Sequence, residues 1–521
     1  MLFVFLTSFL IASCSLATII NVPDDFTTIQ EAIDESVDGD TVLASSGIYV
    51  EHIDYDGKDI TIASHFLTTG DDSYIQNTII DGDSSGTVVT FARLETEDAA
   101  LIGFTIRNGY SQLNGGGIEC FDSNPVISNC IITDNHTGTW GGGVRFERYA
   151  DGVITNCEIH NNSSTGDGGG IECINSDPVI SGCYIHHNTA ERDGGGLTIH
   201  NGSDPLVENC VFYENTAINE GGAILIYFGS SPAIKRTQIL DNISSVSGGG
   251  IAVYNSAPVI TGCLFEDNET EGDGGEIAIT YGSTCDLINC TFDWESEDYT
   301  AIFIATSYTR IINSSLYGQM PLLIEISDAP YPSWIMVAHS NVPGGAESIQ
   351  TSDNATIYWE DGNIDADPMY VDLDDGDYNL RPNSPCVDAG TAFFVWQDDT
   401  LLNLSEDEYN GNAPDIGAYE SEYQAGISRS TSQPTEFTLI QNYPNPFNSS
   451  TTITYSLPEA SNISLKLYDL SGRTLGVLSQ DHKQAGTYST SFNSEKMASG
   501  YYILRLLASG KEVSRKITLI K

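Results

Sequence analysis

Three acidic residues stand directly before glycine runs, at nearly equal intervals in the middle of the chain. They are Asp167, Asp193 and Glu220, and about 26 or 27 residues separate each from the next. If successive intervals form adjacent coils, the carboxylates lie about 4.8 Å apart, where like charges repel. Hard oxygen ligands placed in this way are suited to Ca²⁺. Two interpretations remain open: a calcium site, and three solvated loop carboxylates.

Two other columns contain residues that could do chemistry. Glu119 and Glu172 would lie about 9.6 Å apart, near the separation that inverting glycosidases use. Arg145 falls between them, however, so an exposed ion-pair ladder is favoured over a catalytic pair. His160 and His186 share a column beside Tyr213, where the sequence predicts polar side chains on the outer surface. The glycine triplets precede strands rather than helices, which excludes a dinucleotide-binding loop.

These residues are positioned by a repeat of about 26 or 27 residues over 115–290. Each repeat has a glycine run as its first landmark and a cysteine, or once a threonine, as its second. An asparagine follows the second landmark by five residues and precedes the next glycine run by six, so only the distance from the glycine run to the second landmark varies. Such a pattern is typical of a solenoid, whose coils must return in register. The glycine runs begin at Gly115, Gly141, Gly168, Gly194, Gly221, Gly248 and Gly274; the second landmark is Cys130, Cys157, Cys183, Cys210, Thr237, Cys263 and Cys290; the asparagines are Asn135, Asn162, Asn188, Asn215, Asn242 and Asn268.

Each repeat predicts three short strands. In the segment 168–188, apolar and polar residues alternate over 171–173, and further short apolar runs lie at 179–180 and 183–185. No helical period and no tight hairpin signal joins them. We therefore predict an all-β chain whose main part is a right-handed parallel β-helix. Apolar columns should form its core, and the asparagine column should form an inward amide ladder.

Charge divides the chain into two parts. Residues 1–428 carry 10 basic and 66 acidic side chains, whereas residues 429–521 carry 10 and 6. The acidic part disfavours nucleic acid and anionic membranes as partners. It would also repel anionic polyuronates unless calcium bridged the two.

The first residues predict export. The apolar run over 2–13 has the length of a signal peptide and is too short to span a bilayer, and 15–17 fits a cleavage site. Residues 11–14 also resemble a bacterial lipobox, which leaves lipidation of Cys14 as the alternative. No other segment predicts a transmembrane span. The cysteine column is spaced like the core, which favours buried free thiols, although disulfides between stacked neighbours remain open.

The segment 22–53 predicts an N-terminal cap. Thr27 and Thr28 precede Glu31, and Ile29, Ala32 and Ile33 fall on one face of a short helix that would close the end of the core. This segment, with 57–62 and 103–109, resembles the opening of pectin-lyase-like right-handed β-helix proteins. Residues 359–420 resemble the closing segment of such secreted proteins. The resemblance implies polysaccharide lyases and glycosidases among the possible functions.

The last 86 residues alternate apolar and polar side chains and predict a small antiparallel β-sandwich. The segments 442–448, 468–472, 486–488 and 499–502 strongly resemble the type A sorting domain of the type IX secretion system, which implies export to the cell surface and contact with that machinery. The predicted order is a signal peptide (1–17), the β-helix (18–420), a linker (421–435) and the sorting domain (436–521). Within the β-helix we expect a cap over about 18–45, regular coils over 101–295, and degenerate coils with a closing segment over 296–420.

Two functions from different classes follow. The uniform six-residue loops favour a non-catalytic, exported scaffold for adhesion or glycan binding, with an extracellular polysaccharide or a cell-surface ligand as its partner. The alternative is a polysaccharide lyase or glycoside hydrolase that acts on an extracellular glycan. No catalytic residue can be assigned from the sequence, and calcium at Asp167, Asp193 and Glu220 is the single candidate cofactor.

The calcium hypothesis predicts that chelation destabilises the protein. A bound ion that the unfolded chain does not hold stabilises the folded state, so EDTA should lower the melting temperature and added Ca²⁺ should restore it. Thermal unfolding followed by circular dichroism measures this. An unchanged melting temperature would count against the site.

Overall fold

The computed structural model describes most of the chain. It covers residues 17–423 except 295–299, 319–323, 328–331, 353 and 374–375, and residues 437–519 except 440–441, 443–444, 446, 448–449, 459, 469–472, 484–485, 495–496, 498 and 509–510. The predicted signal peptide and linker lie almost wholly outside the described residues. The domain boundaries inferred from the sequence therefore stay predictions.

Each regular coil contains four short strands, and each strand pairs in parallel with its equivalent one coil away. The parallel β-helix is thus confirmed, but the expectation of three strands per coil is wrong by one. The additional strand has two residues and directly follows the asparagine, as at Thr189–Ala190. Two residues are too few for a visible alternation, so nothing in the sequence distinguished this strand from a loop.

Four sheets run along the coil axis. Among the described residues, sheet 1 contains Ile19–Val22, Thr41–Ala44, Thr61–Ser64, Ala100–Ile102, Val126–Ser128, Val153–Thr155, Val179–Ser181, Leu206–Glu208, Ala233–Lys235, Val259–Thr261, Thr284–Ile288, Tyr308–Ile312, Ser333–Ala338 and Ala355–Trp359. Sheet 2 contains Ile53–Asp54, Val89–Phe91, Ile118–Phe121, Val144–Glu147, Ile171–Ile174, Leu197–His200, Ile224–Tyr227, Ile251–Tyr254, Ile277–Thr280, Ile302–Ala305, Ile324–Ser327 and Ile349–Thr351. Sheet 3 contains Gly47–Val50, Thr78–Asp81, Thr105–Arg107, Ile131–Thr133, Glu158–His160, Tyr184–His186, Val211–Tyr213, Gln238–Leu240, Leu264–Glu266, Thr291–Trp294 and Ser315–Gly318. Sheet 4 contains Tyr110–Ser111, His136–Thr137, Ser163–Ser164, Thr189–Ala190, Thr216–Ala217, Ile243–Ser244 and Glu269–Thr270.

The apolar columns form the core, as predicted. In sheet 1, for example, Ile127 pairs with Ile154, which pairs with Ile180, and all three side chains are fully buried. Burial of such a side chain stabilises the fold by roughly 1.5–3 kcal/mol. Because like residues meet down the axis, the core repeats the same packing in every coil.

The asparagine column is an inward amide ladder, which confirms the prediction. Asn162 Nδ2 donates to Asn188 Oδ1 at 3.0 Å, and Asn188 Nδ2 donates to Asn215 Oδ1 at 3.0 Å. The backbone N–H of Asn162 also donates to Asn188 Oδ1, at 3.0 Å. The second Nδ2 proton reaches a carbonyl of the preceding coil, such as that of Ile159. Each buried amide thereby satisfies its own polar atoms and those of a bend.

The ladder ends on a buried glutamate that sequence analysis did not single out. Glu276 stands where the preceding coil has Gly250, and its carboxyl group accepts from the backbone N–H of Asn268 at 3.3 Å and from Nδ2 at 2.5 Å. Complete burial raises the pKa of Glu276 well above its usual range, which favours the uncharged acid. The substitution of GGE for GGG at 274–276 was the available signal.

A helix covers the first coils, as predicted. It spans Ile29–Glu35, Thr28 caps it by accepting from the N–H of Glu31, and its buried residues are Ile29, Ala32 and Ile33. Two short helices, Phe66–Thr69 and Ser73–Asn77, and a 3₁₀ turn, Gly345–Ser348, also occur in the described chain. No helix there is long and apolar enough to cross a membrane.

The chain divides into two compact units. The β-helix coils belong to the first, which runs to Ala366 and includes Ile416–Ala418. The second unit contains the hairpins Tyr370–Asp372 with Asp377–Leu380 and Phe393–Trp396 with Asp399–Asn403. Its C-terminal part has two antiparallel sheets, as the sequence predicted. One sheet contains Thr438–Leu439, Ser450–Leu457 and Gly486–Asn493; the other contains Thr474–Ser479, Ser461–Tyr468, His482–Lys483, Gly500–Ala508 and Lys511–Leu519.

The described cysteines are buried free thiols. They include every cysteine of the column from Cys130 to Cys290, and the cysteines of this column lie in the interior of the coils. A buried free cysteine packs as a small apolar side chain, which agrees with its place in the repeat.

Removal of one amide from the ladder should destabilise the protein. Asn188→Ala leaves the N–H groups of Asn162 without an acceptor in the buried interior, so we expect a loss of about 2–3 kcal/mol of unfolding free energy. Chemical denaturation measures it. Asn114→Ala, at an exposed position, is the matched control and should change stability little. Equal effects of the two substitutions would contradict a structural role for the ladder.

Candidate functional site

The three carboxylates that precede the glycine runs stack in adjacent coils. The N–H of Gly168 donates to the carbonyl of Asp193 at 3.0 Å, and the N–H of Gly194 donates to the carbonyl of Glu220 at 2.9 Å. These backbone bonds fix the three residues in register, so Asp167, Asp193 and Glu220 follow one another along the axis. Asp167 is buried, and the other two are half-buried.

Each carboxylate has partners from the protein. Tyr227 donates to Asp167 Oδ2 at 3.3 Å, and Arg192 lies 3.6 Å from Asp167 Oδ1 and 3.8 Å from Asp193 Oδ2. The Tyr254 hydroxyl lies near Glu220 and partly offsets the rise in the pKa of that carboxyl. Burial raises the pKa of Asp167, Asp193 and Glu220, and the Asp193 carboxylate adds to the rise at its two neighbours. The stack therefore retains unfavourable negative charge.

Calcium at this stack stays a prediction. Within the described ranges, no three His, Cys, Asp or Glu side chains already lie close enough together to hold a metal ion. The carboxylates are in neighbouring coils, yet their oxygens are directed to Arg192, Tyr227 and Tyr254.

A groove of 510 Å³ opens beside the carboxylates. Asp193 and Glu220 contribute to its wall, and most of the remaining surface is aromatic. The lining residues are Asp193, Glu220, Leu225, Tyr227, Phe228, Tyr254, Asn255 and Tyr281.

Two positions per coil supply the aromatic side chains. The last residue of the sheet 2 strand gives Tyr227 and Tyr254, which are register partners in adjacent coils. The next residue bends into the left-handed backbone region and gives Phe228 (φ 57°) and Tyr281 (φ 56°). The bend leaves these two rings 61% and 70% exposed. Tyr254 and Tyr281 stack at 5.2 Å between ring centroids.

Sequence analysis missed this aromatic groove, although a signal was present. The left-handed position is asparagine in several coils, as at Asn175, Asn201 and Asn255. Phe228 and Tyr281 replace asparagine there, at a conformation that large side chains seldom adopt. An aromatic residue that occupies such a bend and remains exposed is a candidate for ligand contact.

The row of Glu119, Arg145 and Glu172 is buried, which contradicts the predicted exposed ladder. Their exposures are 3%, 5% and 0%. The glycine run of each coil folds back over the row: the N–H of Gly115 donates to Glu119 Oε2 at 2.5 Å. Gly168 has a φ of +64°, and a Cβ there would lie 2.7 Å from the carbonyl oxygen of Ile171, so glycine is required at this bend.

Charges in this covered row are paired internally. Arg145 lies 3.6 Å from Glu119 and 2.6 Å from Glu147, and His200 Nε2 lies 2.7 Å from Glu172 Oε1. Burial raises the pKa of Glu119 and of Glu172 to about 7. Neither glutamate reaches solvent, so the pair is not available to attack a polysaccharide.

The histidine column lies in sheet 3, in the predicted register with Tyr213. His160 and His186 stack at 4.9 Å between ring centroids, and His186 Nε2 lies 3.2 Å from Glu158 Oε1. His186 is only 8% exposed because Tyr184 packs against it, so this part of the outward prediction is wrong.

Two family models match the sequence. "Right handed beta helix region" matches residues 64–239 and 140–292, and "Secretion system C-terminal sorting domain" matches residues 441–521. No curated protein matches the chain.

Solved structures share similarity over much of the chain. The PL6 family alginate lyase AlyGC is 14% identical, with a TM-score of 0.42, and the match covers 70% of this chain and 55% of that lyase. Pectate lyase Pel9A is 15% identical, with a TM-score of 0.40, and the match covers 78% of this chain and 97% of the lyase. This chain thus spans about half the length of the alginate lyase.

The buried glutamate Glu172 should make stability depend on pH. Its folded-state pKa, about 7, lies above the ordinary carboxyl value, so the folded protein binds more protons than the unfolded chain between about pH 4.5 and 7. Its contribution to stability is present below this window and is lost as pH rises through it, with an upper limit of about 3 kcal/mol.

Glu172→Gln should remove that loss. The melting temperature of the variant minus that of the parent should therefore increase as the pH rises from 5 to 8. Thermal unfolding at several pH values measures the difference. Glu208→Gln, which removes a partly exposed glutamate in an ion pair with Arg236, is the control. Parallel curves for Glu172→Gln and the parent would contradict the assignment.

Proposed function

The chain is a right-handed parallel β-helix protein with a C-terminal type IX sorting domain, and we propose that it is a non-catalytic scaffold that binds an extracellular glycan in the groove beside Tyr254. Export is carried by the sorting domain, which places the protein outside the cell or at its surface. The single observation that supports glycan binding is the aromatic and acidic lining of the groove.

The lining suits a sugar ring. Tyr254, Tyr281 and Phe228 offer apolar faces on which the C–H groups of a pyranose can stack. Asp193 and Glu220 accept hydrogen bonds from hydroxyl groups at the edge of the same ring. Ligand sites of this kind combine aromatic walls with a few polar groups that fix orientation.

Overall charge limits the class of glycan. The chain has a net charge of −52, and the acidic side chains concentrate in the β-helix part of the sequence. An anionic polyuronate would meet repulsion across this surface. The groove therefore fits an uncharged or cationic polysaccharide better than an acidic one.

The positions of the ionisable side chains favour binding over cleavage. Glu119 and Glu172 are covered by glycine runs, and no lysine or arginine is among the described groove residues. A lyase needs a cation that acidifies its substrate, and none of these lining residues carries a positive charge. Hydrolysis remains the second candidate because Asp193 and Glu220 occupy adjacent coils, about 4.8 Å apart along the axis.

Loss of an exposed groove aromatic should weaken glycan binding without harm to the fold. Tyr281→Asn and Phe228→Asn introduce the residue that the same position holds at Asn255 and Asn201. Each should reduce the affinity for a neutral linear hexasaccharide about tenfold, because one stacking surface is lost. Isothermal titration of the full chain measures this.

Tyr149→Asn is the matched control, since Tyr149 is also an exposed aromatic at a left-handed bend but lies outside the groove. Equal weakening by all three variants, or none by the groove variants, would contradict the proposed site. Release of new reducing ends during incubation would replace binding by hydrolysis as the function.

A further inference from the structure

The groove concentrates negative charge that the protein does not fully balance. Asp193 and Glu220 lie in the wall. Asp167 lies in the preceding coil, and its buried Oδ1 accepts no hydrogen bond. The guanidinium of Arg192 lies 3.6 Å from Asp167 and 3.8 Å from Asp193. Its side chain is 55% exposed, so solvent weakens both pairs.

The aromatic wall also favours a positively charged group in the groove. The faces of Tyr254, Tyr281 and Phe228 carry the negative side of the ring quadrupole and attract a positive group placed over them. The Tyr227 hydroxyl is directed towards Asp167. The His200 ring stacks on the Tyr227 ring, with 4.8 Å between the ring centroids. In the described part of the chain, no lysine or arginine lines the groove to compete for that position.

We propose that the groove selects glycans that carry free ammonium groups, that is, polymers of amino sugars whose amines are not acylated. The sugar ring stacks on the aromatic wall, and its ammonium group lies between Asp193 and Glu220. This inference rests on the proposed glycan-binding function and specifies its ligand. Acidic glycans are repelled by the same carboxylates, and acylated amino sugars bring no charge to offset them.

The carboxylates gain from such a ligand. Burial raises the pKa of Asp193 and of Glu220, and repulsion from the Asp193 carboxylate adds to the rise at Glu220. A cation between them offsets both costs. Two carboxylates and an aromatic face around one ammonium group form a common arrangement for cation recognition.

The test compares three linear hexasaccharides of glucosamine, N-acetylglucosamine and glucose. Each is titrated into the full chain at low ionic strength, in the presence of EDTA, at a pH where the amines are protonated. We expect the glucosamine oligomer to bind about tenfold more tightly than the other two. Added salt should reduce this advantage, because partly exposed charges are screened.

Substitutions of the two groove carboxylates test whether they cause the preference for the glucosamine oligomer. Asp193→Asn and Glu220→Gln should bring the affinity for the glucosamine oligomer close to that for the glucose oligomer, because each amide keeps a hydrogen-bond acceptor but carries no negative charge. Glu191→Gln removes one negative charge two residues from Asp193 but outside the lining, and it should retain the preference. Circular dichroism spectra of the variants should match that of the parent chain.

The outcomes separate this inference from the function on which it rests. Equal affinity for the three oligomers overturns the ammonium preference but leaves glycan binding intact. An equal loss with Glu191→Gln also overturns it, since net charge rather than the groove would then be responsible. A separate titration replaces EDTA by Ca²⁺ and adds a polyuronate hexasaccharide; tighter binding of the polyuronate than of the glucosamine oligomer there overturns the inference in favour of a calcium bridge. Failure to bind any of these glycans removes the proposed function itself.

Discussion

The structure depends on parallel pairing between residues one coil apart. Every strand of the four sheets finds its partner in the neighbouring coil, about 4.8 Å along the axis, so each side chain meets its own equivalent. Apolar residues gain from that arrangement, because isoleucine packs on isoleucine throughout the core. Polar and charged residues gain only if they can bond along the column or reach solvent.

The asparagine column and the carboxylate column meet this requirement in different ways. Asparagine carries both a donor and an acceptor, so Asn162 and Asn188 bond to each other and to the bends. Carboxylates lack a donor, and the stack of Asp167, Asp193 and Glu220 therefore depends on Arg192 and on tyrosine hydroxyls. A column of like charges is unfavourable in the absence of a ligand, and the proposed binding site lies at this stack rather than at the amide ladder.

Much of the fold was predictable because periodicity and packing agree. The columns through Ile127 and Ile132, the asparagine ladder and the cap at Thr28 all follow from residue type and spacing. The burial of Glu119 and Glu172 did not follow, because strict alternation places them outward and only the return path of the glycine run covers them. The groove was also missed: Tyr254 and Tyr281 belong to different positions of the repeat, and they meet only because the backbone turns left-handed between the two sheets.

At that left-handed turn, the exposed side chain can change without an effect on the sheets that stabilise the solenoid. Four successive coils place Asn201, Phe228, Asn255 and Tyr281 at this turn, and the strands of sheet 2 keep their register. A change at this site therefore alters the outer face without disturbing the interior. Substitutions can therefore accumulate at this position one coil at a time, and related chains with the same backbone would be free to bind different molecules.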